Sequence, residues 1–107
     1  MHHDPKMQAC IAACSACAQA CEHCSDACLG HMPECARICR DCADICELCV
    51  AFMARGSKFH GQLCAFCADV CEACAAECSK HNSDHCKECA AACQKCAEEC
   101  REMAAAM

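Results

Sequence analysis

Tryptophan and tyrosine are absent from the 107 residues, and phenylalanine, glycine and proline number only three, three and two. Isoleucine, leucine, valine and phenylalanine together contribute eleven residues. That is about a tenth of the chain, whereas a share under roughly 20% normally leaves a chain without a core. An ordinary aliphatic core is thereby excluded. No apolar run approaches the roughly 20 residues of a membrane helix, and the opening MHHDPKMQAC holds no signal-peptide hydrophobic segment. Nine lysines and arginines against fifteen acidic residues leave a net charge of −6, with no basic face for the phosphates of a nucleic acid. Neither membrane nor nucleic acid is expected as a partner.

What the chain has in abundance is cysteine, 21 residues in four blocks. The first is Cys10, Cys14, Cys17, Cys21, Cys24 and Cys28; the second is Cys35, Cys39, Cys42, Cys46 and Cys49. The third is Cys64, Cys67, Cys71, Cys74 and Cys78, and the fourth Cys86, Cys89, Cys93, Cys96 and Cys100. Steps of three and four alternate within every block, which places each block on one stripe of an α-helix; on a strand the same spacing would scatter over both faces.

Helix punctuation falls between the blocks. Asp4 and Pro5 read as an N-cap with an N1 proline, and Pro33 opens a second helix after Gly30. Gly56 ends the second helix with Ser57 capping the third, and Asn82 and Ser83 supply the break and cap for the fourth. The intervening Ala, Glu, Lys and Gln are strong helix formers. The expected fold is all-α: an antiparallel up-down-up-down four-helix bundle with a cysteine-lined core. It fills a single domain, 1–107, with helices over about 5–29, 33–55, 58–80 and 83–104.

Extending each stripe by the same step reaches further ligand types: Met7, Met32, Met53, His60, His81 and Met103. Methionine is also a common gap-filler, so any one of these has an ordinary packing explanation. Antiparallel connectivity gathers His31, Met32, His81 and His85 at one end, and Met7, Phe52, Met53, Phe59, His60 and Met103 at the other. The histidine end is the candidate mouth and the more apolar end a candidate plug. His23 lies off the stripe and reads as a surface residue, while His2 and His3 lie too near the terminus to interpret. Ile38, Ile45, Phe52, Leu63 and Val70 flank the stripes and are expected to seal helix junctions. Phe59 and Phe66 lie farther round, where they are either simply exposed or in contact with another subunit.

Cysteine can serve as a small hydrophobe, but each replacement of a leucine-sized residue forfeits methylenes worth about 0.8 kcal/mol apiece. A disulfide framework fits no better, since the count is odd and a bond within one helix braces little. Metal ligation remains, and charge selects among metals. Five Cys₄ zinc sites would leave ten uncompensated negative charges inside the bundle, and iron–sulfur clusters a similar excess. One Cu(I) per thiolate brings the interior near neutrality, and a soft d¹⁰ ion accepts two or three shared sulfurs. Multiple Cu(I) ions are therefore the expected cargo. An iron–sulfur electron carrier and a zinc- or cadmium-buffering protein resembling metallothionein stay open as alternatives. No acid, base or open coordination position for catalysis is visible in the residue pattern.

The ladders of the first two blocks, the stretch ADICELC at 43–49, and the long segment CADVCEACAAECSKHNSDHCKECAAACQKCAEECREMAAA from Cys67 to Ala106 resemble the copper storage proteins over nearly the whole chain. The resemblance implies cysteine-lined four-helix bundles assembled as a homotetramer, with Cu(I) held mainly by paired cysteines and His or Met ligands near one mouth. Carried onto this sequence, the ligand role falls on all 21 cysteines, with His81 and His85 at the mouth. Lacking a signal peptide, the chain resembles the cytoplasmic branch of the family.

Overall fold

The computed structural model describes residues 4–106; His2 and His3 lie outside them. Four helices follow the four cysteine blocks: α1 Pro5–Cys28, α2 Pro33–Ala54, α3 His60–Cys78 and α4 Asp84–Ala105. The Asp4 carboxylate accepts a 2.7 Å hydrogen bond from the Met7 amide, ahead of Pro5 in the first turn. Gly30 and Gly56 turn the chain out of α1 and α2 with φ of +88° and +67°, a region closed to most L-residues.

Two of the expected caps work differently. Ser57 does not cap α3: its hydroxyl accepts from the Phe59 amide at 3.1 Å and its carbonyl from the His60 amide at 3.2 Å. These bonds close a turn first and delay the helix to His60. Ser83 does occupy the N-cap of α4, but it makes no side-chain cap bond, and its Oγ is buried without a partner among the described residues.

Loops this short force neighbouring helices to run antiparallel. Helix α1 packs on α2 and α4, and α3 packs on α2 and α4, forming a rod of 44 × 18 × 18 Å. Between the cysteines the contact faces carry small residues, with Ala43 and Ala68 fully buried, so the helices approach closely and the sulfurs meet on the axis. Ser25 ties α1 to α2 by donating from Oγ to the Ala36 carbonyl at 3.0 Å. Arg101 ties α4 to α3 through Glu72 and Asp69, each at 2.9 Å. Ile38, Ile45, Leu63 and Val70 pack against the sulfur column along the α2–α3 junction. Leu48, Phe59 and Phe66 stay about half exposed.

Candidate metal centre

All 21 cysteines are free thiols with no exposed surface. Each points to the axis because the three-four alternation keeps its stripe facing inward along the full helix. The sulfurs form a continuous column. At the centre, Cys17 lies 3.8 Å from Cys42 and 3.7 Å from Cys93, Cys42 is 3.6 Å from Cys71, and Cys21 is 3.6 Å from Cys89. Toward one end Cys14 lies 3.6 Å from Cys96 and Cys100, and Cys46 lies 3.7 Å from Cys67. Toward the other, Cys39 is 3.6 Å from Cys78 and Cys24 is 3.8 Å from Cys86.

These separations suit a shared ion. Two sulfurs each about 2.3 Å from a metal stand about 4 Å apart at a trigonal angle and about 4.6 Å apart when linear. Four-sulfur groups overlap: Cys17 and Cys42 belong both to the group with Cys46 and Cys71 and to the one with Cys21 and Cys93, while Cys21 and Cys93 join Cys74 and Cys89 in a third. Sulfurs common to several groups can bridge ions, as a high ratio of metal to thiol requires.

Without metal, more of the column's thiols are pushed up than down. Burial pushes the thiols near the histidine end up, Cys28 to about 12 and Cys35 to about 11 from an ordinary 9.0. Cys17, Cys42, Cys67, Cys74, Cys89, Cys96 and Cys100 go the other way; at Cys100 the sulfhydryls of Cys10 and Cys14 beside it stabilise its anion and bring it down to about 6. The raised pair has a consequence for stability. Above pH 9 the unfolded chain gives up thiol protons that the folded chain keeps on Cys28 and Cys35, so their contribution is complete below pH 9 and is lost as the pH rises through 11 to 12. Denaturant midpoints of the metal-free protein, measured without oxygen, are expected to fall between pH 9 and 11; an unchanged midpoint would refute the assignment.

The two ends differ. At the Gly30 and Asn82 loops the His85 Nδ1 lies 3.4 Å from Cys24 Sγ and 3.5 Å from Cys86 Sγ. His81 instead meets Glu77, Nε2 to carboxylate oxygen at 3.1 Å. His31 is exposed and Met32 partly buried against the core. His23 is exposed as expected, but its ring also meets that of His85 edge-on, with centroids 6.3 Å apart. That contact was legible in principle: His23 and His85 each precede a stripe cysteine by one residue, and α1 and α4 are neighbours. At the opposite end Met53 is fully buried, Met103 and Met7 nearly so, and His60 partly.

Comparisons with known proteins agree with this geometry. A family model described as Csp, copper storage protein, matches residues 3–105. Metal-free copper storage protein 3 from Bacillus subtilis is 55% identical, covers 91% of this chain and 97% of its own, and superposes with a TM-score of 0.88. The Cu(I)-bound copper storage protein BsCsp3 is 51% identical over 92% of this chain and 98% of its own, at 0.89. A cytosolic copper storage protein from Streptomyces lividans, with five coppers, is 37% identical over 95% and 94%, at 0.90. None of the curated proteins compared matches the sequence. Sulfur column, helix register and family match coincide, and the chain belongs to the copper storage protein family.

Proposed function

We propose that the whole chain, 1–107, acts as one cytosolic bundle domain that sequesters many Cu(I) ions, with all 21 cysteines as thiolate ligands. The observation that carries this reading is the column of buried sulfurs, nineteen of them linked at 3.6–4.0 Å with Cys49 and Cys64 at one end beyond that spacing, and single sulfurs common to several four-sulfur groups. Isolated Cys₄ zinc sites need no such overlap, and iron–sulfur clusters need inorganic sulfide between the thiolates. The cytosolic location follows the Streptomyces lividans relative. Anaerobic loading tests the reading by colour and competition. Cu(I) thiolates leave the solution colourless, whereas iron–sulfur clusters turn it brown. Cu(I) is expected to displace Zn²⁺ from the thiols; zinc that resists it would favour the buffering alternative.

The mouth is assigned to the histidine end, where the chain segments around Gly30 and Asn82 carry His31, Met32, His81 and His85. His85 supports this best, since its Nδ1 already stands within ligand-sharing distance of Cys24 and Cys86. Borderline imidazole nitrogens receive an incoming ion and thiolates then draw it inward. The double variant His81→Ala, His85→Ala is expected to take up Cu(I) several-fold more slowly while keeping its capacity, in stopped-flow loading from a competing chelator. Reduced capacity at an unchanged rate would contradict the role.

A homotetramer is proposed by family resemblance. The apolar groove between α2 and α3, where Leu48 and Phe66 are about half exposed above Ile45 and Val70, supports burial against another subunit. Sedimentation is expected to give about four times the chain mass and, for Phe66→Glu, a smaller species; a monomeric parent protein would refute it.

A further inference from the structure

The end of the bundle opposite the histidine mouth holds its own set of ligand types. Met7, Met53, His60 and Met103 each stand one stripe step beyond the terminal cysteine of their helix, Cys10, Cys49, Cys64 and Cys100 respectively. A simple plug would use leucine or phenylalanine, which pack more rigidly and carry no lone pair. The ring of His60 gives the reason to look further. Its Nδ1 lies 2.9 Å from the carbonyl oxygen of Ser57. A carbonyl only accepts, so Nδ1 carries the ring proton and Nε2 keeps its lone pair. Nε2 is buried and has no hydrogen-bond partner among the described residues. A buried acceptor without a donor carries a desolvation penalty, which a bound cation would remove. One imidazole nitrogen held by a backbone carbonyl while the other stays buried and bare is the arrangement that orients metal-binding histidines.

We propose that the Nε2 of His60, with the thioethers of Met53 and Met103, forms a separate Cu(I) site that closes the apolar end of the bundle. The proposal rests on the reading of the core as a Cu(I) store. Two thioethers and one neutral imidazole make a soft, uncharged, three-coordinate set, which suits a monovalent soft ion and offers little to Zn²⁺. Ser57 enters as the positioning residue: the turn that displaces it from its expected cap role is the one that fixes the His60 ring. The ion would sit directly beyond the thiolate rung of Cys49, Cys64 and Cys100, so this end becomes the last position of the column.

The full chain, labelled with ¹⁵N and titrated anaerobically with Cu(I), tests this through the His60 ring in long-range ¹H–¹⁵N spectra. The Nε2 resonance is expected to leave the region of a free lone pair and settle in that of a metal-bound nitrogen as loading nears completion. In metal analysis, His60→Ala and the double variant Met53→Leu, Met103→Leu are each expected to lose about one ion per chain, and His60→Met to keep it because a thioether replaces the soft ligand. A wild-type core that fills while the Nε2 resonance stays in place would overturn the site and leave storage standing. Wild-type protein that takes up no Cu(I) would overturn both. The spectroscopic arm uses unaltered protein, so a variant that fails to fold does not decide the matter.

Discussion

Titrated with Cu(I) in the absence of oxygen, the protein is expected to bind well above five ions per chain and to release protons as it does so. Five is the number that twenty thiolates could hold as separate tetrahedral sites. Exceeding it requires each sulfur to serve more than one ion, which the overlapping groups around Cys17, Cys21, Cys42 and Cys93 permit. Burial holds thiols such as Cys28 and Cys35 protonated at neutral pH, so loading must expel a proton for each thiolate made. Charge closes the account: a monovalent ion replacing each proton leaves the interior about as neutral as before, whereas divalent ions at Cys₄ sites would leave two negative charges apiece. Metal analysis with a pH-indicator titration measures both quantities. Saturation near five ions, or uptake without acidification, would defeat the charge-balance account.

Loading is also expected to raise the thermal midpoint by more than about 20 °C. The metal-free core is thin in apolar surface. Met53 is its largest fully buried side chain, and the others in that class are cysteines and the alanines Ala43 and Ala68. The metal-free protein is expected to be helical by circular dichroism all the same, since its alanine-rich helices and the Asp4 cap do not depend on metal. Each site filled at a thousand times its dissociation constant adds about 4 kcal/mol to the folded state. Several such sites exceed 10 kcal/mol, and a domain this size gains about 4–8 °C per kcal/mol. A fully loaded protein melting within a few degrees of the metal-free one would mean that the unfolded chain binds copper as well as the folded one, and that the assembled column contributes nothing.

The helices and the cysteine-lined axis were legible because a three-four period has one geometric solution: it puts Cys10 through Cys28 on a single stripe, and three more blocks repeat the rule. Starts and stops followed where backbone chemistry is local, at Asp4, Pro5, Gly30, Pro33 and Gly56. Ser57 and Ser83 were harder because a serine hydroxyl has several backbone partners within reach. The choice between a cap and a turn depended on how the chain crosses to the next helix.

Periodicity settled which residues face inward and, through their charge, which kind of ion they can hold. It was silent on everything that depends on the rotation of one helix against another. That His85 reaches Cys24 across from α4 to α1, and that the Nε2 of His60 ends buried without a partner among the described residues, were decided only when the four helices packed. A stripe is a property of one helix and survives any rigid rotation about its neighbours, whereas the distance between two side chains on different helices does not.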